Sequence, residues 1–150
     1  VRVEAEEHEI IPRTPEAAAG MERWREMPEP VVGAPEQVFF HCFPGAVSLV
    51  NRELGIRATV ERGEGLPYLV QWKSFDPSRY VIGLEPANNR LEGRKTALEK
   101  GLARRIEPGE TLRFQIRESS DQNIFHRKFV LSENILYLCI VIDREQLKTP

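Results

Sequence analysis

Apolar and polar residues alternate in short bursts through the middle of this 150-residue chain. Val38 to Phe43, Ala46 to Asn51, Ile56 to Glu61, Pro67 to Lys73, Arg79 to Glu85 and Thr111 to Arg117 are each rich in β-branched and aromatic side chains. Pro44-Gly45, Leu54-Gly55, Gly63-Glu64-Gly65, Asp76-Pro77 and Pro108-Gly109 separate them with turn chemistry. Such spacing predicts a mainly β fold, an antiparallel β-sandwich or part of a larger one. Residues 1–35 are polar and broken by five prolines, Pro12, Pro15, Pro28, Pro30 and Pro35, and read as a connecting segment within the domain. One helical turn is predicted there, with Thr14 as N-cap, Pro15 first in the helix and Gly20 ending it. A second, short and basic helix is predicted between Arg94 and Arg105. Residues 119–150 form a divergent tail whose apolar run, Ile135 to Ile142, suits a doubly covered strand.

Composition narrows the class. With 41% hydrophobic and 29% charged residues, a sequence pI near 6.0 and a formal net charge of −2, the chain reads as one soluble domain. Its 21 basic and 23 acidic residues create no global field that would gather nucleic acid, and no apolar run approaches the roughly 18 residues of a membrane helix. Cys42 and Cys139 lie in apolar runs as small hydrophobes, which points to a reducing, cytoplasmic compartment. No secretory leader is visible, and a first residue Val1 rather than Met suggests a truncated start. His8, His41 and His126 with two distant cysteines give no metal-ligand spacing, so neither a metal nor a cofactor is expected.

Candidate chemistry centres on Tyr80-Val81-Ile82-Gly83-Leu84-Glu85-Pro86-Ala87-Asn88-Asn89. Strand alternation puts Glu85 on the face of Gly83, which leaves space for a ligand, and Pro86 breaks the ladder just beyond it. A carboxylate so held suits a general base; it equally suits a solvated strand end. The glycines at 63 and 65 read as a hairpin tip rather than a phosphate loop. Arg90, Arg94, Lys95, Lys100, Arg104 and Arg105 interleave with Glu92, Glu99 and Glu107, as on a solvated face. His41 reads as an acid, a hydrogen-bond donor or a satisfied core histidine, with the last preferred for want of a partner.

Five blocks occur in an order that resembles the carboxy-terminal part of the aldose 1-epimerase (galactose mutarotase-like) superfamily, nearest its branch carrying the DUF4432 domain. They are Glu36-Gln37-Val38-Phe39-Phe40-His41, Val50-Asn51-Arg52-Glu53-Leu54-Gly55, Leu66 to Lys73, Tyr80 to Asn89 and Ile106 to Phe114. The resemblance runs from about residue 10 to about residue 117 and covers residues 36–118 as part of a β-supersandwich. It implies sugar chemistry in which Glu85 matches the base that removes the anomeric hydroxyl proton, while a histidine elsewhere protonates the ring oxygen. It also implies hydroxyl contacts from Glu36, where the family has Asp, and from Lys73, a polar position of the branch. Asn88 follows the strand end that presents Glu85, and His41 lies within the first block. The family's acid histidines come from an earlier half with no counterpart here, and His8 does not match that motif. The expectation is therefore a fragment of an anomer-exchanging isomerase, inactive alone, or a carbohydrate-binding or structural β-sandwich. A simple hairpin of residues 67–73 and 79–85 would set Lys73 beside Arg79 and about 20 Å from Glu85, at roughly 3.3 Å per residue.

Overall fold

A computed structural model describes residues 1–42, 45–63, 65–103, 106–120, 126–132 and 135–143; for residues 118, 126–132 and 135–143 it describes the backbone only. In chain order the elements are β1 (Arg2–Glu4), β2 (Ile10–Pro12), α1 (Pro15–Ala19), a 3-10 turn (Met21–Arg23), β3 (Gln37–His41), β4 (Ala46–Asn51) and β5 (Ile56–Arg62). They continue with β6 (Tyr68–Asp76), β7 (Arg79–Ala87), α2 (Arg94–Glu99), β8 (Ile116–Ser120), β9 (His126–Ser132) and β10 (Ile135–Asp143). The strands form two antiparallel sheets, ordered β1-β4-β5-β8 and β2-β3-β6-β7-β10-β9. Packed face to face, they make the expected sandwich.

Alternation explains the packing. On β5, Ile56, Ala58 and Val60 are buried while Arg57 and Glu61 are exposed, the period-2 signature of a sheet with one wet face. These residues meet Val3, Val47 and Leu49 of their own sheet and Leu69, Ile82 and Leu84 of the other, forming the inter-sheet core. The larger sheet has a second apolar cluster on its opposite face, made of Val38, Phe40, Val70 and Ala87 with Ile11, Tyr68, Trp72 and Leu91 against it. Both faces of β6 are consequently apolar in part, and the two clusters belong to opposite parities of the same strand.

Several expectations shift. The proline-broken amino-terminal segment contributes β1 and β2, each only three residues long, one to each sheet. Helix α1 has the cap read from sequence, with Thr14 Oγ1 accepting from Ala17 N at 3.1 Å. The β6–β7 hairpin is longer than expected, because Asp76 Oδ1 accepts from both the Ser78 amide and hydroxyl and so confines the turn to Pro77 and Ser78. Lys73 therefore pairs with Ile82, not Arg79, and Val70 pairs with Glu85. Thr111 to Gln115 is not strand; β8 begins at Ile116. Strand β10 is paired along both edges, between β7 and β9, as an interior strand of the larger sheet. Phe43, Pro44, Glu64, Arg104, Arg105 and the side chains of His126 and Cys139 lie outside the described residues.

Candidate functional site

Glu85 and its neighbours occupy the face of the larger sheet turned away from the inter-sheet core. Parity along β7 puts Gly83, Glu85 and Ala87 together there, and register adds Trp72 opposite Gly83, Val70 opposite Glu85 and Tyr68 opposite Ala87. The ladder toward β10 runs through Ile140↔Leu84 and resumes at Tyr137↔Ala87, passing over Glu85 and Pro86. Pro86 has no N–H to offer it. Toward β6, by contrast, pairing continues through Leu69↔Pro86 to the strand end, so proline interrupts one ladder and leaves the other intact.

Gly83 serves a different purpose from the one its sequence suggests. A Cβ at this position would lie 2.7 Å from Glu85 Oε1 and 3.5 Å from Trp72 Cε3. The room above the glycine is thus filled by the glutamate's own carboxylate, folded back along the strand toward the indole. Trp72 and Glu85 are half-buried, whereas Val70 beside them is fully covered. Charged pairs stand at both ends of this strip. Arg79 is ion-paired with Glu36 and its guanidinium lies 5.8 Å from the Trp72 ring. Arg90 is ion-paired with Glu92, which also takes Lys100 at 3.1 Å, and lies 5.7 Å from Phe40 and 6.0 Å from Tyr68. Just past the strand, Asn88 Oδ1 is buried with no hydrogen-bond partner among the described residues, an acceptor that a donor would satisfy.

His41 and Lys73 point the other way, into the sandwich. Lys73 is 1% exposed, and its ammonium donates to the carbonyls of Arg23, Trp24 and Glu26 at 3.2, 3.2 and 3.1 Å. Those three oxygens lie in and just beyond the 3-10 turn, whose last carbonyls need donors from elsewhere; Arg23 O also accepts from the Glu26 amide at 3.0 Å. Burial pushes the lysine pKa down to about 8, with Glu26 pulling it back up, so the group is still an ammonium at neutral pH. His41 is fully buried, and burial holds its imidazole down to about 3 against the opposing hydrogen bond from Gln71. Its Nε2 lies 2.8 Å from Gln71 Oε1 and its Nδ1 2.7 Å from His8 Nε2. Gln71 Nε2 in turn donates to Trp24 O at 2.8 Å, and Arg62 Nη1 donates to His41 O at 3.1 Å.

Of the five residues singled out from sequence, Glu85 and Glu36 thus share the outer strip, Asn88 follows it, and His41 and Lys73 belong to the interior. The register separates Lys73 from Glu85 by three positions, roughly 10 Å along the strand, and by the thickness of the sheet. Trp72, Arg79 and Gln71 were not singled out. The alternation of Tyr68 to Lys73 carries a signal for Gln71, since it shares the parity of Leu69 and Lys73.

Among the described residues no cluster of histidine, cysteine or acidic side chains could hold a metal ion, and no helix is long and apolar enough to cross a membrane. A family model described as "Domain of unknown function (DUF4432)" matches residues 1–119. No curated protein and no solved structure matches the chain.

Proposed function

The chain belongs to the DUF4432 family, and from that premise we propose a carbohydrate-binding protein of galactose mutarotase-like descent, with Glu85 as the base of an aldose 1-epimerase-like anomer exchange. The observation that carries this reading is the half-buried Glu85 carboxylate folded beside the Trp72 indole, on the face opposite the inter-sheet core. An aromatic ring offers an apolar platform to the C–H face of a sugar, and a carboxylate at its edge accepts from hydroxyls. The Arg79–Glu36 pair bounds that platform at one end. Asn88 supplies a further acceptor near the end of β7. His41 and Lys73 drop out of the substrate set, because their polar atoms are engaged inside the sandwich. Free Cys42 fits a reducing, cytoplasmic setting.

In this reaction Glu85 takes the proton of the anomeric hydroxyl, the C1–ring-oxygen bond breaks as the ring oxygen is protonated, and an open-chain aldehyde results. Rotation about C1–C2 and reclosure, with the protons returned, give the other anomer. No redox change occurs. A base here must come within about 2.6–3.2 Å of the hydroxyl, which a carboxylate on a paired strand can hold. Neither His8 nor His41 faces Glu85, so the proton for the ring oxygen is not assigned to a histidine among the described side chains. That observation favours a second reading, a binding protein without turnover.

Anomer exchange of several aldoses, followed by NMR with the chain and with Glu85→Gln, separates the two. A rate above buffer that falls at least tenfold in the variant supports the isomerase. An enhanced rate unchanged by the substitution removes Glu85 from the role of base. Sugar binding without enhancement by either protein favours the binding reading.

A further inference from the structure

Anomer exchange needs two proton transfers, since the ring oxygen must gain a proton as the anomeric hydroxyl loses one. The strip that holds Glu85 has few groups able to supply it. Its guanidiniums, Arg79 and Arg90, are ion-paired with Glu36 and Glu92 and do not deprotonate in proteins, and Lys100 is also taken by Glu92. The Trp72 indole and the Asn88 amide donate hydrogen bonds but are not acids at neutral pH. Tyr80 has the opposite parity on β7 and donates its hydroxyl proton to Pro28 O at 2.8 Å. Cys42 packs on the outer face, but β3 lies one strand further from β7 than β6 does. What remains among the described side chains is a phenol. On the premise of the isomerase reading, we propose that Tyr68 is the general acid of this site, the proton donor to the ring oxygen.

Register brings the acid to the base. Tyr68 opens β6 opposite Ala87, and Glu85 lies two positions back along β7 on the same face, so the two residues are diagonal neighbours. Such neighbours stand about 7–8 Å apart at the backbone, within reach of aromatic and long side chains. Val70, opposite Glu85, is the buried residue between Tyr68 and Trp72 on that face of β6. Tyr68 is half-buried, and its hydroxyl is neither bonded to nor sealed in by the described residues, which leaves its proton uncommitted. The Arg90 guanidinium lies 6.0 Å from the Tyr68 ring, a cation placed to stabilise the phenolate that forms when the proton leaves. At rest the Glu85 carboxylate is folded over Gly83, away from Tyr68; in the exchange it turns toward a sugar held between the two.

The protons balance without any further reactant. Glu85 takes the proton of the anomeric hydroxyl, the C1–ring-oxygen bond breaks as C1 becomes a carbonyl, and the ring oxygen leaves with the Tyr68 proton. After rotation about C1–C2 the new hydroxyl attacks C1, returning its proton to the phenolate, while Glu85 gives its proton back to the carbonyl oxygen.

The test follows anomer exchange of aldoses by NMR with the whole chain, Tyr68→Phe and Glu85→Gln. Tyr68→Phe keeps the ring and removes the proton, so kcat should fall by about a hundredfold while KM changes by less than about threefold and the Trp72 indole still shifts with sugar. Exchange that Glu85→Gln abolishes but Tyr68→Phe leaves intact keeps the isomerase reading and removes Tyr68 from it. A rise in KM at unchanged kcat reduces Tyr68 to a binding contact and overturns the inference. A parent chain without exchange above buffer withdraws both the isomerase reading and the acid. A second measurement leaves the fold untouched: 3-fluorotyrosine, a stronger acid than tyrosine, is incorporated throughout the parent chain. At pH 7 kcat should then rise by about twofold or more, with no such rise in labelled Tyr68→Phe, and an unchanged kcat in the labelled parent overturns the proposal.

Discussion

The two faces of the six-stranded sheet handle polar groups in opposite ways. Inside the sandwich, Lys73, Gln71 and His41 each have their polar atoms committed to named acceptors or donors at 2.7–3.2 Å, and most of those partners are backbone. Outside, the Glu85 carboxylate and the Glu36–Arg79 pair border a half-buried indole, and Asn88 Oδ1 has no partner among the described residues. Buried polar groups that are fully engaged hold a structure together; a half-buried carboxylate and an unsatisfied amide oxygen beside an indole lie where a ligand can reach them. On β6 itself, Gln71 and Lys73 face the interior and Trp72 between them the outer strip, a difference of parity alone.

The interior should respond most strongly to substitution. Lys73→Met removes an ammonium shared by three carbonyls, of which Trp24 O keeps the Gln71 amide and Arg23 O the Glu26 N–H, and we expect a loss of about 3 kcal/mol in urea unfolding. Less than about 1 kcal/mol would show that the lysine does not anchor the segment around Trp24. Lys73 also gives a pH signature, since its folded value of about 8 lies below the 10.5 of an unperturbed lysine. Between those values the unfolded chain binds more protons, so the parent gains stability over Lys73→Met as pH rises from about 8 to 10.5.

Adjacent positions on β7 sharpen the contrast. Leu84→Ala opens the inter-sheet core and should cost about 3 kcal/mol, whereas Glu85→Gln should stay within about 0.5 kcal/mol of the parent. A large loss in Glu85→Gln would make that carboxylate structural.

Gly83→Ala is a subtler test of the outer strip. The added methyl meets the mobile end of the Glu85 side chain rather than backbone, so stability should change by less than about 1 kcal/mol. Yet the carboxylate must move, and the 13C titration of the Glu85 carboxyl should shift between parent and variant. An identical titration would mean that the carboxylate does not rest over Gly83. Smallest of all, Arg79→Ala removes an exposed ion pair and should leave the unfolding midpoint unchanged, while weakening any sugar affinity through the altered rim of Trp72.

Much of this architecture was legible in the sequence, because alternation at Ile56 to Glu61 and the cap at Thr14 are local signals. Strands β1 and β2 were hidden, since three-residue strands among prolines and glutamates carry no period to read. The hairpin register was misjudged by the turn at Asp76: which residues of a turn-rich segment join the ladder depends on the side-chain bond to Ser78, not on propensity. The outer strip was legible in part, through Glu85 and the parity it shares with Gly83. That His8 would meet His41 was not, for their contact spans 33 positions and depends on how residues 5–9 cross from β1 to β2.

The chain's two tryptophans happen to report on the two faces, Trp72 outside beside Glu85 and Trp24 inside beside His41. Titrating the 15N-labelled chain with a panel of aldoses and following both indole N–H signals therefore tests the placement of the site directly. The account predicts that the Trp72 indole and the Gly83 amide shift with a saturable dependence on sugar while the Trp24 indole stays fixed. Movement of Trp24 with Trp72 unchanged, or no shift at either indole with any sugar, would contradict it.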